Sequence, residues 1–210
     1  MSRRRGKRHV AGHRRRRIAV VGTLCLVLTG SLAGHPGDEE GVWVNVDKLQ
    51  RVKAAFVYNF LKYVQWPEQV FAHPGQPFEV CVVDAAEFAH TLLHTVGERT
   101  AAGRAVVVRG IRSVDSLPPH ELCRCHMIYA DVADAGEWRR LIDQLGPAPV
   151  LTVGEGRGFA EDGGIIGFGI VEAKVAVFIN RQAARRASLE ISAKLLKRAE
   201  IVTDKRRHDR

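Results

Sequence analysis

A succession of short apolar runs, most separated by stretches of a different hydrophobic period, constrains this chain more than any other feature. Residues 78–83 (FEVCVV), 105–109 (AVVVR), 126–130 (HMIYA), 150–153 (VLTV), 165–170 (IIGFGI) and 174–180 (KVAVFIN) each read as a strand, rich in β-branched residues and bounded by turn formers. Between them, residues 85–96 and 133–145 read as helices, the latter with Trp138, Leu141, Ile142 and Leu145 on one side. Residues 114–120 read as a turn or a short helix start. An earlier helix is predicted over residues 47–63, with Leu49, Val52, Phe56, Phe60 and Tyr63 as its buried stripe, Asn45 or Asp47 as its cap and Pro67 as its end. A last helix is predicted over residues 182–202, burying Ala187, Ile191, Leu195 and Ala199. Strand–helix alternation closed by a hairpin across 171–173 implies an α/β fold: a three-layer sandwich with a mostly parallel sheet, an antiparallel C-terminal hairpin strand, and helices on both faces.

The net charge of +9 invites a nucleic-acid reading, but its distribution argues against one. Nine of the 32 basic residues fall within the first seventeen positions, before any acid, and the remaining 23 balance the 23 acidic residues. Directly after the arginines come an apolar run at 18–28 and the small-residue stretch TGSLAG, with Ser31 and Ala33 spaced for cleavage. That is the grammar of a secretory signal peptide, and the run is short for an uncleaved membrane anchor, the competing reading. The expected organisation is therefore a leader at 1–33, a flexible linker at 34–44, one domain at 45–202 and a basic tail at 203–210, working outside the cytoplasm without nucleic acid.

Export bears on Cys81, Cys123 and Cys125, because in an oxidising compartment two of three can pair. Cys81 and Cys125 lie in the first and at the head of the third strand of the sheet, neighbours in a 2-1-3 order, so a structural disulfide is favoured between them. Cys123 remains a competitor for Cys81. The run His120, Glu121, Cys123, Cys125, His126 lacks the spacing of haem attachment or of a zincin helix, and a tetrahedral zinc site from Cys81, Cys123, Cys125 and His126 is the weaker alternative. No metal and no cofactor are expected.

The glycine-rich stretch 154–164 (GEGRGFAEDGG) lacks the Lys-Ser/Thr of a phosphate loop and leads into a strand, so it reads as a connection. No nucleophile elbow occurs, and adjacent Glu161 and Asp162 read as solvated, so no enzyme is expected. Asn59 reads as a satisfied amide more than a contact, and Asn180 as a cap. Ile166 and Phe168 share one face, where core is the plainer reading for them and for Phe159.

Together these pieces resemble a known family, the YfiR-like proteins: KAAFVYNFLKYVQWP (53–67), FEVCVVD (78–84), CHMIYA (125–130), VLTVGEGRGFAEDGGIIGF (150–168), VFIN (177–180) and LEISAKLLKRA (189–199), in the family's order. The resemblance implies a non-catalytic periplasmic regulator that binds and represses a membrane-bound diguanylate cyclase, with control through disulfides. It matches Cys81 and Cys125 to family cysteines and leaves Cys123 without a counterpart. The partner expected is the periplasmic domain of an inner-membrane protein, with a homodimer left open. The contact set nominated is Phe159, Glu161, Gly163, Gly164, Ile166 and Phe168, since a loop carried on a rigid sheet is where recognition commonly sits. The alternative is a periplasmic sensor binding a small molecule in an α/β cleft.

Overall fold

The computed structural model describes residues 46–132, 134–172 and 174–205. The expected leader, the linker, the Asn45 cap and the end of the basic tail lie outside them. Helix α1 (Val46–Tyr63) buries Lys53, Ala54, Val57, Tyr58, Phe60 and Leu61 and runs directly into a two-residue strand, β1 (Val64–Gln65). Its buried face is thus rotated from the expected stripe: Val52 is exposed, and Leu49, Phe56 and Tyr63 are half-buried. The helix packs against the sheet and also along a second helix, and the Tyr58 hydroxyl donates to the Thr100 carbonyl in the segment that follows that helix, so two flanks need apolar cover.

Strands β2 (Phe78–Val83), β3 (Val106–Ile111), β4 (Met127–Ala130), β5 (Leu151–Glu155), β6 (Ile166–Val171) and β7 (Lys174–Asn180) lie side by side in the order β3-β2-β4-β5-β6-β7. All pairings are parallel except the β6/β7 hairpin. Period two divides the strands between two cores. Val80, Val82, Met127, Tyr129, Leu151 and Val153 face α1 and α2 (Ala86–Val96). Cys81, Val83, Ile128 and Ala130 face α3 (Pro119–Leu122) and α4 (Ala135–Leu145) through Leu122, Leu141 and Leu145. This is the three-layer α/β sandwich expected. The Asp134 carboxylate accepts from the Gly136 amide to start α4, and Gly146, at φ +53, ends it.

Two further expectations fail. Residues 154–164 are not a plain connection, because Gly156–Glu161 forms a short helix, α5. The predicted last helix is broken into α6 (Arg181–Arg186), β8 (Glu190–Ile191), α7 (Ala193–Leu196) and β9 (Glu200–Val202). Ser188, at φ +54, turns the chain after α6; β8 then pairs with β1, and the Ser192 hydroxyl caps α7. Strand β9 joins the sheet beside β7, in parallel. The four-residue recurrence of Ala187, Ile191, Leu195 and Ala199 mimics a helix, yet it arises from the C-cap of α6, strand β8, helix α7 and the turn before β9, which bring these four apolar side chains to one core.

Candidate functional site

Strand β2 lies between β3 and β4, so the crossover from β2 to β3 runs one way along the sheet and that from β3 to β4 runs back past it, a reversal at which α/β sheets commonly form a crevice at their C-terminal edge. Asp84, Asp131 and Glu155 follow or end β2, β4 and β5 there. Glu155 has the parity of Leu151 and Val153 and so faces α1. Lys53 Nζ donates to its Oε2 at 2.7 Å, and the Tyr129 hydroxyl donates to its Oε1 at 2.5 Å. Lys53 is only 8% exposed, a lysine placed inside the packed face of α1 because the carboxylate is there to meet it. Burial, reinforced by the Glu155 carboxylate, pushes the Tyr129 phenol far above its ordinary range. Burial and the same carboxylate raise Asp131, against the opposing pull of Lys53.

Just beyond Glu155, glycines let the chain fold onto a single ring. A Cβ on Gly154 would come within 2.4 Å of Phe159, and one on Gly164 within 2.2 Å, so both positions admit only hydrogen beside that ring. Trp138 of α4 meets the Phe159 ring edge-on at 5.5 Å. A Cβ on Gly167 would strike the Gly156 carbonyl, so α5 lies hard against β6. Fully buried Asn180 donates from Nδ2 to the Ala160 carbonyl at 2.8 Å and accepts the Ala183 amide at 2.9 Å, fixing the end of α5 and the start of α6 with one side chain. The Thr152 hydroxyl accepts from the Ile165 amide.

The nominated residues therefore occupy two layers. Phe159, Ile166 and Phe168 are fully buried, with Phe168 stacked on Phe60 at 5.7 Å, and Gly163 and Gly164 are buried as well. Only Glu161 reaches solvent, so the other five would shape the surface from behind. Around Glu161 runs a charged rim: Arg157 pairs with Glu161 at 2.7 Å and with Glu200, Lys205 pairs with Glu161, and Arg139 pairs with Asp162 at 2.6 Å. The Lys205 and Arg157 hydrogen bonds hold the Glu161 carboxyl below its usual range. Asn59 is half-buried and lines a groove of about 210 Å³ with Phe56, Tyr63, Lys194 and Arg198. Lys53, Tyr129 and Glu155 escaped the sequence reading, although a lysine in step with Val57, Phe60 and Val64 was a usable signal.

Cys81 and Cys125 form a disulfide with Cα atoms 5.9 Å apart, while Cys123 is free and exposed. The bridge is buried in the α4-side core, with Arg109 Nη2 3.9 Å from each sulfur. Next to it, His126 Nδ1 accepts the Glu79 amide at 3.0 Å and the ring stacks on Phe71, and burial lowers its pKa.

A family model described as YfiR/HmsC-like matches residues 50–200, which takes in most of α1, the whole glycine stretch and the disulfide. The chain belongs to the YfiR/HmsC-like family. Its members are periplasmic regulators and not catalysts. Among solved structures, a conserved domain protein from Vibrio cholerae O1 biovar El Tor is 16% identical with a TM-score of 0.52, over 74% of this chain and 60% of that one. The YfiR/HmsC-like chain thus spans less than two thirds of that protein, and the likeness is one of fold. An ABC domain from Streptococcus pneumonia, solved with L-Trp, is 11% identical with a TM-score of 0.45, over 60% of this chain and 55% of that one. No curated protein matches significantly in sequence. Among the described residues no helix is long and apolar enough to cross a membrane.

Proposed function

We propose that this chain is an exported, non-catalytic repressor that docks on the periplasmic domain of a membrane-bound diguanylate cyclase and holds it inactive. The observation that carries the reading is the family match across the rigid glycine stretch. Repression of this kind needs only differential affinity: a protein that binds the inactive state of its partner more tightly shifts the partner's equilibrium, tenfold for each ~1.4 kcal/mol of preference. The contact surface is the rim of α5, with Glu161 at its centre and Phe159, Gly163, Gly164, Ile166 and Phe168 holding its shape. Redox control acts through stability, because the bridge is shielded from solvent and its loss would loosen the core behind α4.

The test is affinity capture from detergent-solubilised envelope, in oxidising and reducing buffer, with the partner identified by mass. A membrane protein carrying a cyclase output domain, recovered less well with Glu161→Arg and after reduction, is the expected result. Recovery unaffected by Glu161→Arg would remove α5 from the contact surface. A second reading, a sensor for a small molecule, is favoured by the groove beside Asn59, where apolar walls meet Lys194 and Arg198. A ligand-induced rise in Tm abolished by Asn59→Ala would support it.

A further inference from the structure

Helix α2 carries His90 and His94 one turn apart on its solvent face, both exposed, while Phe88, Leu92 and Val96 anchor the opposite face in the core. Their Nε2 atoms approach to 3.3 Å, with ring centroids 4.4 Å apart and planes inclined by 71°. Two imidazole nitrogens on a tetrahedral zinc ion, each at ~2.0–2.1 Å, stand roughly 3.3–3.4 Å apart, whereas a right-angled square-planar pair stands about 2.9 Å apart. The observed separation is that of an N–H···N hydrogen bond and also falls in the tetrahedral range, so a zinc ion could replace the shared proton without moving α2.

We propose that His90 and His94 form a two-imidazole chelate for a divalent cation of zinc type. In the metal-free protein the same two nitrogens share one hydrogen bond, donated by one ring and accepted by the other. Binding needs no net proton loss: the donor ring moves its proton from Nε2 to Nδ1, and both Nε2 lone pairs then face the ion. No third His, Cys, Asp or Glu among the described residues joins the pair, so solvent completes the coordination and the site is of exchangeable type. Glu87, three residues before His90, adds negative charge to the same side of the helix. The scaffold supplies the chelate advantage, because α2 is folded and packed before the ion arrives and little is spent on ordering the ligands.

Zinc chloride titrated into the purified full chain tests this, with heat and the imidazole C–H resonances of His90 and His94 as readouts. Both pairs of resonances should shift together in one saturable step. His90→Ala and His94→Ala should each weaken that step by about tenfold or more, as expected when a chelate becomes a single ligand. Adding Leu93→His to His94→Ala restores a three-residue spacing on the same face and should recover much of the affinity, whereas adding Thr95→His should not. All four positions lie on the outer surface or beside it, and circular dichroism of each variant establishes that the fold is kept. Zinc affinity at this step unchanged in either single alanine variant, or resonances of the two rings that do not move together, would overturn the proposal.

Discussion

Replacing Gly164 by Ala would put a methyl carbon 2.2 Å from Phe159 Cε1 and 2.4 Å from Cδ1, where carbon atoms ordinarily rest ~3.5–4.0 Å apart. The backbone itself is not the obstacle, since Gly164 does not need a positive φ; Gly163, at φ +106, does. Nor can the ring step aside, being fully buried with Gly154 on its other flank and Trp138 at its edge. Overpacking costs ~1–3 kcal/mol in ordinary cores, and with more than an ångström of overlap the expected loss is about 3 kcal/mol. Phe159→Ala removes a buried ring and should cost about 4 kcal/mol. Were the sites independent, the double variant would lose about 7 kcal/mol, enough to unfold many domains. Because Phe159→Ala removes the atoms that the new methyl strikes, the double variant should instead lose about 4 kcal/mol, a coupling of about 3 kcal/mol. Urea unfolding of the four proteins at constant m measures this. Losses that add to within about 0.5 kcal/mol would refute the packing argument.

Cys81→Ala should cost about 4 kcal/mol on the chain-entropy model for a 44-residue separation, while Cys123→Ala should stay within about 0.5 kcal/mol and leave one titratable thiol fewer in the folded protein. Lys53→Met should cost about 2 kcal/mol in urea, below the ~3–5 kcal/mol of a fully buried pair because the Glu155 side chain keeps 28% exposure; an unchanged midpoint would show the pair to be incidental. Burial depresses His126 below its usual 6.5, so the unfolded chain takes the proton first and the stability from the neutral ring, complete above about pH 6.5, is lost as pH falls towards the folded value. Tm should therefore drop between about pH 7 and pH 5, less steeply in His126→Gln. Asp131 is shifted the opposite way, so Asp131→Asn should raise Tm at neutral pH, an advantage that shrinks as the medium is acidified through the carboxylate range.

The sheet was legible because FEVCVV, HMIYA and VLTV are too short for helices and apolar on both faces, as strands covered by helices on each side must be. The hairpin was legible for a similar reason, IIGFGI and KVAVFIN being close together with no helical period between them. Helix α5 was hidden because two of its six residues are glycines, poor helix formers, and its cause is tertiary: Phe159 drops between Gly154 and Gly164. The broken C-terminal segment was hidden because a four-residue recurrence cannot distinguish one helix from short elements that share a core. The disulfide was legible from strand neighbourhood, but the Lys53–Glu155–Tyr129 contact, spanning 102 residues between Lys53 and Glu155, was not, since nothing local in α1 announces a carboxylate at the end of β5.

Under the proposed reading, the residues behind α5 govern affinity without touching a partner. A loop that must be ordered on docking spends binding energy on that ordering, roughly 0.5–1.5 kcal/mol for each side chain immobilised. Here the expense falls on folding: Phe159 is locked between glycines, Asn180 ties α5 to α6, and Glu155 anchors the entry through Lys53 and Tyr129. Arg157, Glu161 and Lys205 are thereby held in one charged arrangement before any encounter. A variant such as Phe159→Leu, which stays folded but loosens this wedge, should then weaken docking chiefly through faster dissociation, since the encounter charges are unaltered and only the loop's order is lost. Glu161→Arg changes the encounter charge itself and should slow association as well. Two variants in one short helix, separable by which rate constant they change, thus distinguish a surface that recognises by charge from a scaffold that recognises by rigidity.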